Sequence, residues 1–254
     1  MRLYTPQVTG ANHRLFLVAL ICKISIMSLT FLLPVFNERA TVEQILQQVR
    51  DTGLADRIIV VDDASTDGTR ELLEEIAARD SRLALHLHDR NRGKGAALRT
   101  GFSKVETDLV LVQDADLEYD PRDVPALLVP IDENKADVVY GSRFLGASRR
   151  PTMFWHMVAN KLLTLMTNVL YNTILTDMET GYKLFRREVI QSFTIRSNRF
   201  NFEPEITAKL LKKKVRIFEV PITFNPREYS EGKKIGLKDA FAAVWALLKF
   251  RFVD

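Results

Sequence analysis

The sequence is poor in the residues that build disulfide, zinc and thiol sites. It has one cysteine, Cys22, and four histidines in 254 residues. A single cysteine excludes a disulfide bond within the chain and any zinc site built on cysteines, and the histidines lack the spacing of a metal site. No Ser-His-Asp order matches a hydrolase, and the Gly-Lys-Gly stretch at residues 93–95 is not a Walker motif. These absences argue against thiol, zinc and triad chemistry.

The chain also has only a small excess of positive charge. It contains 36 lysines and arginines and 32 acidic residues, which gives a net charge of +4. The hydrophobic fraction of 46% and charged fraction of 27% exclude a disordered chain, a collagen and a coiled-coil rod. Residues 1–182 carry 20 basic and 24 acidic groups, whereas residues 183–254 carry 16 and 8. The C-terminal quarter therefore predicts an anionic partner, a phosphate or a membrane surface, unless its lysines are merely solvated. So small a net charge gives no reason to expect nucleic acid.

The longest apolar run, Leu15 to Val35, is interrupted by few polar residues and is long enough to span a bilayer. A first β-strand before Pro34 competes for the same residues, and Met27 is a plausible start of the core. We therefore expect residues 1–27 to be an N-terminal extension, residues 28–236 the main domain and residues 237–254 an amphipathic C-terminal helix.

From residue 28 onward, apolar runs of strand length alternate with helical stretches. Thr41 and Gln44 predict a capping box at the first helix, and Asp67 or Thr69 opens the second. This alternation predicts an α/β fold with a mostly parallel sheet and helices on both faces. The later pattern predicts a buried or interface-lining helix at 153–175, a strand at 182–185, a helix at 204–213, a strand at 216–224 and a helix at 237–252.

Five polar clusters follow the predicted strands, at residues 34–38, 61–69, 91–95, 113–121 and 141–144. Ligands bind beyond the carboxyl ends of parallel strands, so five clusters in register predict a ligand site at one edge of the sheet. The third cluster opens a helix, and its free amides together with Lys94 suit an anion.

Asp114 and Asp116 follow a buried strand directly. In an extended segment alternate residues point the same way, which brings both carboxylates towards one point, with Glu118 as a third candidate. Hard oxygen ligands without histidine or cysteine suit Mg²⁺ or Mn²⁺ on a diphosphate. Asp114 and Asp116 could instead cap the helix that starts at Pro121, but Asp120 already occupies the capping position.

Eight segments in this order resemble family 2 glycosyltransferases of the GT-A fold, in the branch of dolichol-phosphate mannose synthases and polyprenol-phosphate glucosyltransferases. The resemblance covers residues 28 to about 239 and is carried by PVFNE, VDDASTDGT, NRGKGAALRTG, QDADLEYDP, GSRF, DMETGYKLF, FNFEPEITAK and EVPITFNPREYSEGKKI. It implies a Rossmann-like α/β domain that moves a hexose from a nucleotide sugar, GDP-mannose or UDP-glucose, to a polyprenyl or dolichyl phosphate with Mg²⁺ or Mn²⁺.

The resemblance also implies roles for single residues. The nucleotide would be bound by Pro34, Phe36, Glu38, Asp62, Asp63, Lys94, Asp114 and Ala115. The metal would be held by Asp114, Asp116 and Glu118, the last standing where related synthases use glutamine. The acceptor and its phosphate would be bound by Arg143, Asp177, Glu203, Arg227, Lys233 and Lys234. Catalytic roles would fall to Asp116, Arg143 and Arg227.

The acceptor decides the expected mechanism. A hydroxyl acceptor needs a carboxylate base, for which Asp177 or Glu203 would serve, whereas a phosphate is already anionic and needs mainly cationic positioning. We therefore expect in-line displacement with inversion, giving a β-linked polyprenyl-phosphate sugar. Two alternatives stay open: a transferase acting on a glycan or glycolipid hydroxyl, and a non-catalytic nucleotide-sugar-binding scaffold, against which Asp114, Asp116 and Arg143 argue.

Many relatives in this branch carry a transmembrane hairpin after the catalytic domain, and none follows in this sequence. The last helix has apolar residues on one face and basic residues on either side, so it can lie in the headgroup region or pack on the core. The apolar face is Ala240, Phe241, Val244, Trp245 and Leu248, and the basic residues are Lys238, Lys249 and Arg251. We expect a peripheral enzyme on the cytoplasmic leaflet of a membrane.

Overall fold

The structure, a computed structural model, describes residues 27–146, 154–227 and 237–253, with side chains in the last segment from residue 240. The strands are β1 (Leu29–Val35), β2 (Arg57–Asp62), β3 (Leu83–Leu87), β4 (Leu109–Val112), β5 (Val138–Ser142), β6 (Lys183–Arg186) and β7 (Ile217–Pro221). The helices are α1 (Val42–Asp51), α2 (Thr69–Ala77), α3 (Lys94–Phe102), α4 (Val124–Asp132), α5 (Phe154–Tyr171), α6 (Arg187–Gln191), α7 (Phe202–Lys212) and α8 (Leu237–Phe252). A 3₁₀ helix (Pro121–Asp123) leads directly into α4.

These strands form one sheet in the order β3-β2-β1-β4-β6-β5-β7. Every neighbouring pair is parallel except the two that involve β6, which runs antiparallel to β4 and β5. Helices connect most of the parallel strands, because a parallel crossover needs a long connection that returns the chain to its starting edge. The predicted α/β architecture is confirmed, and the polar segments after β1 to β5 leave the sheet at the same edge.

Apolar side chains alternate between the two faces of the sheet and build two cores. In β1, Phe31 and Leu33 pack into one cluster, whereas Leu32 packs into the other. The first cluster is covered by α1 and α4 and the second by α3, α7 and α8. Each large apolar side chain buried in this way contributes roughly 1.5–3 kcal/mol to folding, so the hydrophobic alternation along the strands fixes which side of the sheet each helix covers.

The alternative prediction, a membrane span at residues 15–35, is wrong for residues 29–35. Residues 29–35 form the central strand β1, and Phe31, Leu32 and Leu33 are fully buried in it. The rest of that run and nearly all of the predicted extension lie in residues 1–26, outside the described residues. Within the described part of the chain, no helix combines the length and apolar character needed to cross a bilayer.

Helix starts depart from the sequence patterns in one case and follow them in another. Thr41 precedes α1, but its hydroxyl donates to Glu38 Oε2 at 3.1 Å and makes no cap, so the predicted capping box with Gln44 is wrong. Asp120 caps the 3₁₀ helix as predicted, accepting from the Arg122 amide at 2.9 Å.

Other boundaries move by a few residues. Helix α7 starts at Phe202 instead of Pro204, since a proline in the first turn needs no amide donor. Strand β7 ends at Pro221, three residues before the predicted end at Phe224. Helix α8 has the predicted bounds.

Helices α5 and α8 each present an apolar stripe to solvent, and we call these stripes together the outer apolar face. Helix α8 buries Ala243, Ala246, Leu247 and Phe250 against the core, so the face that the sequence pattern singled out points largely outwards. Helix α5, which we expected to be buried or to line an interface, is largely exposed on one side. The outer apolar face consists of Trp155, Leu162, Leu165 and Val169 of α5 and Phe241, Trp245, Leu248 and Phe252 of α8.

Candidate active site

The five polar clusters meet at a cavity of about 670 Å³ at the carboxyl edge of the sheet. This confirms the prediction that they share one edge, and the parallel direction of β1 to β5 is the reason. Helices α5, α7 and α8 also contribute walls. Of the residues predicted from the sequence, the cavity is lined by Pro34, Phe36, Glu38, Asp63, Lys94, Asp114, Ala115, Asp116, Glu118, Arg143, Glu203 and Arg227.

An acidic loop after β4 forms the centre of the cavity. Asp116 Oδ1 accepts from the Glu118 amide at 3.1 Å, and Leu117 between them has the left-handed φ of 63°. Burial, together with the charges of Asp114 and Glu118, raises the pKa of Asp116 to about 7. Carboxylates that crowd in this way favour a divalent cation, which would neutralise them.

The donor set fits Mg²⁺ or Mn²⁺ because it offers only carboxylate oxygens. In the described residues, no three His, Cys, Asp or Glu side chains are gathered closely enough to hold a metal ion. Asp114 and Asp116 would therefore hold the metal together with oxygens of a bound diphosphate, with Glu118 beside them.

Lys94 joins two acidic groups on opposite sides of the cavity floor. Its Nζ lies 2.8 Å from Asp114 Oδ1 and 3.3 Å from Glu203 Oε1. Burial alone would lower the pKa of Lys94, but the two carboxylates outweigh it and the pKa is raised. The loop at Gly181 approaches so closely that a Cβ there would lie 2.7 Å from Asp114 Oδ2 and would displace that carboxylate.

The glycine loop after β3 does not present the free amides that the sequence suggested. The amides of Arg92 and Gly93 donate to the Asp63 carboxylate at 2.9 and 2.6 Å. His88, one of the histidines without a predicted role, donates from Nδ1 to Asp63 at 2.6 Å and contacts Thr100 through Nε2 at 2.9 Å. The prediction that these amides bind an anion is therefore wrong, because the Asp63 carboxylate already accepts hydrogen bonds from them.

Asp62 lies apart from the cavity. It is fully buried, and its carboxylate accepts from Arg70 Nε at 2.9 Å and from the Ser65 amide at 3.2 Å. Of Asp62 and Asp63, both predicted to bind the nucleotide, the structure brings only Asp63 to the cavity wall.

Arg143 is held in one orientation by Asp177. Its Nε and one terminal nitrogen donate to the two Asp177 oxygens at 2.7 and 2.8 Å, and Asn160 donates to the same carboxylate at 3.1 Å. The guanidinium also lies 5.2 Å from the centroid of the Phe224 ring. The pKa of the fully buried Asp177 is lowered, because Arg143 and these hydrogen bonds outweigh burial. Asp177 is thus a partner of Arg143 and does not line the cavity.

Arg227, like Arg143, lines the cavity. Its guanidinium donates to both oxygens of Glu38 at 2.9 and 3.0 Å and lies 3.2 Å from Asp116 Oδ2. Its backbone amide donates to Glu118 Oε1 at 2.8 Å. The segment after β7 is therefore tied to the acidic loop. Lys233 and Lys234, predicted to lie nearby, fall outside the described residues.

The sequence reasoning missed Glu179, Tyr119 and Lys183. Tyr119 accepts from the Gly181 amide at 3.0 Å, and Lys183 is fully buried, with its ammonium donating to the Met178 and Thr180 carbonyls. For Glu179 and Lys183, the signal in the sequence was the presence of charged residues in the segment at 177–185. A motif match showed the segment but not which of its side chains reach the cavity.

Comparisons with known proteins identify the family of the chain. Residues 30–193 match the family described as Glycosyl transferase family 2. Glycosyltransferase AglJ of Haloferax volcanii is 31% identical over 199 residues, 77% of this chain, and the chain spans 62% of that protein's length. Polyprenol monophosphomannose synthase of Mycolicibacterium smegmatis is 30% identical over 213 residues, 81% of this chain and 80% of that protein.

A solved structure shares the fold. The crystal structure of glucosyl-3-phosphoglycerate synthase from Mycobacterium tuberculosis, in complex with Mn²⁺, UDP and phosphoglyceric acid, has a TM-score of 0.70 at 21% identity. The alignment covers 99% of this chain and 85% of that one. The GT-A architecture expected from the sequence is thereby confirmed. With a family match over more than half of its length, the protein belongs to glycosyl transferase family 2.

Proposed function

We propose that this protein transfers a hexose from a nucleoside diphosphate sugar to a polyprenyl phosphate. The observation that carries the proposal is one cavity lined by the carboxylates of Asp114 and Asp116 and by the guanidinium groups of Arg143 and Arg227, the second of which lies 3.2 Å from Asp116. The carboxylates suit a metal-bound diphosphate, and the guanidinium groups suit an anionic acceptor. The relative named polyprenol monophosphomannose synthase, matched over most of its length, supports this choice of acceptor.

On the donor side, Pro34, Phe36 and Glu38 lie at the end of β1, where a nucleoside would bind, and Asp114 and Asp116 lie where its diphosphate would reach. Mg²⁺ or Mn²⁺ at these aspartates would act as a Lewis acid for the departing nucleoside diphosphate. The Mn²⁺ and UDP in the glucosyl-3-phosphoglycerate synthase complex support this assignment. Transfer assays with GDP-mannose and UDP-glucose would identify the base and the sugar of the donor.

On the acceptor side, Arg143 is oriented in advance by its bidentate bond to Asp177. A phosphate that binds there needs no side chain to become ordered first, so less entropy is lost on binding. Arg227 would exchange part of its contact with Glu38 for the same phosphate. A phosphate nucleophile is anionic at neutral pH, so the reaction proceeds by in-line displacement with inversion and without a general base.

Asp177 is unsuited to act as a base for a hydroxyl acceptor. Both of its oxygens accept hydrogen bonds, its pKa is lowered, and it is fully buried behind Arg143. This argues against one of the two carboxylates expected to serve a hydroxyl acceptor; Glu203, the other one, lines the cavity.

The outer apolar face supports a lipid acceptor drawn from a membrane surface. Trp155 is 77% exposed and also lines the cavity, so the stripe on α5 continues into the site. Lys161, Lys249 and Arg251 flank the apolar residues, and positive charge favours anionic headgroups. We propose peripheral binding to the cytoplasmic leaflet, with the polyprenyl chain lying along this face and its phosphate between the two arginines.

The test is transfer of radiolabelled hexose from UDP-glucose and GDP-mannose to undecaprenyl phosphate in the presence of Mg²⁺ or Mn²⁺. We expect label in the organic extract with at least one donor, and its loss in Arg227→Ala. Arg57→Ala is the matched control, because Arg57 lies exposed at the opposite edge of the sheet. Transfer only to glycan or glycolipid hydroxyls, with no lipid-phosphate product, would contradict the proposal.

A further inference from the structure

Two carboxyl oxygens in the cavity wall have no hydrogen-bond partner among the described residues. They are Glu179 Oε1 and Glu203 Oε2, and neither atom is reached by solvent. A buried carboxyl oxygen without a partner costs about 1–3 kcal/mol or more, so a folded protein retains one only where a ligand or another constraint completes it. Both residues line the cavity that holds the acidic loop.

Glu203 lies beside the place where the donor diphosphate would bind. A single lysine ammonium, that of Lys94, contacts both Asp114 and Glu203 Oε1. The Glu203 carboxyl group is therefore separated from the aspartate assigned to the diphosphate by one lysine ammonium. The part of a nucleotide sugar that extends one step beyond its diphosphate is the hexosyl ring.

Glu179 sits on a loop that is fixed on both sides of it. Asp177 is bonded to Arg143, the Gly181 amide donates to Tyr119, and the Lys183 ammonium donates to the Met178 and Thr180 carbonyls. These contacts therefore hold the loop backbone in place on both sides of Glu179 before any ligand arrives.

The chemistry of the Glu179 and Glu203 carboxyl groups indicates which part of the two substrates they bind. Carboxyl groups offer no positive charge to the lipid phosphate, and the proposed position of the nucleoside is at the β1 side of the cavity. Sugar hydroxyls are uncharged and donate hydrogen bonds, which is what an unpaired carboxyl oxygen lacks.

We propose that Glu179, together with Glu203, is the specificity determinant for the transferred hexose, their unpaired oxygens each accepting a hydrogen bond from a ring hydroxyl. This inference rests on the proposed function, since it takes the Asp114 side of the cavity as the diphosphate site. The predicted ligand class is a neutral hexose with free hydroxyls at the end away from the nucleotide.

The test is calorimetric binding to the full chain without acceptor, comparing each nucleotide sugar with its nucleoside diphosphate. Glu179→Ala should weaken binding of the nucleotide sugar by up to about tenfold and leave the nucleoside diphosphate unchanged, since loss of one hydrogen bond between uncharged groups is of that size. Glu133→Gln, at a half-exposed glutamate paired with Lys135, is the control and should change neither.

Deoxy donors, each lacking one hydroxyl, sharpen the test. At least one should bind more weakly than the parent to the wild-type protein but no more weakly than the parent to Glu179→Ala, because the missing partner is already gone. Glu179→Gln, which retains one oxygen, should lie between. Additive losses for every deoxy donor would overturn the inference.

The remaining outcomes separate the two proposals. Equal weakening of nucleotide sugar and nucleoside diphosphate by Glu179→Ala would indicate a structural role and overturn the inference alone. Unchanged donor binding with a large fall in kcat would assign the pair to general-base chemistry and also overturn it. If neither nucleotide sugar nor nucleoside diphosphate binds the wild-type protein, both proposals fail.

Discussion

Glu179→Gln should stabilise the protein in the absence of ligands, by an amount that grows with pH. Burial, with the charge of Glu203, raises the pKa of Glu179 from 4.5 to about 8. The folded state therefore keeps a proton that the unfolded chain releases. A group with a raised folded pKa contributes fully below pH 4.5, and its contribution is lost as pH rises towards 8. Glutamine has no proton to lose, so the variant escapes this penalty.

The size of the expected gain in stability follows from the raised pKa of Glu179. Each pKa unit is worth about 1.4 kcal/mol, so at pH 7 the penalty reaches roughly 3 kcal/mol as an upper bound. Glu179 lines a cavity that water can enter, which weakens the effect. We expect a gain of about 1–3 kcal/mol at pH 7, on the order of 1 kcal/mol or less at pH 5, and an increase between them.

The assay is urea unfolding of both proteins at pH 5, 6 and 7 with a chelator present, compared through the free energy of unfolding. Glu133→Gln, at an exposed position, should follow the wild type at each pH. A difference that does not change with pH, or a wild type that is more stable than Glu179→Gln at pH 7, would refute the reasoning about the buried carboxyl group.

Three further changes test the site and the outer apolar face. Asp177→Ala removes the carboxylate that pairs with Arg143, whose side chain is 17% exposed at the cavity, and should cost about 1–3 kcal/mol in urea unfolding; an unchanged free energy of unfolding would contradict that pairing. Asp116→Ala should abolish metal-dependent transfer while circular dichroism stays unchanged, and retained transfer would remove Asp116 from the metal site. Trp245→Ser should reduce flotation with phosphatidylglycerol-containing vesicles without lowering the melting temperature, because Trp245 is 67% exposed; equal flotation would argue against the outer apolar face as the membrane contact.

Much of the site could be predicted because motifs and sheet geometry act together. The alternation of apolar runs and helices predicted a parallel sheet, and parallel strands end at one edge, so Asp114, Asp116 and Arg143 could be placed in one site. Pairings between distant segments could not be predicted. Nothing in the sequence near Arg227 indicates that its guanidinium lies against Glu38, 189 residues earlier.

Local pattern also misled where a tertiary contact competed with it. Residues 91–95 have the composition of an anion-binding loop, but the Asp63 carboxylate accepts from two of its amides. The Thr41 hydroxyl has the spacing of a cap, yet it donates to Glu38. In both cases a partner brought close by the fold replaced the one that local spacing suggested.

The sequence by itself determined the fold class, the family and the shared edge of the five polar clusters, because periodicity and motif order are local properties of the chain. Only the tertiary structure decided which charges are neutralised and which are left without a partner. It pairs Arg143 with Asp177, and Lys94 with Asp114 and Glu203, and it leaves one oxygen each of Glu179 and Glu203 unpaired. The physical reason is that the energy of a buried charge depends on neighbours within a few ångströms in space, and those neighbours come from segments far apart in the chain.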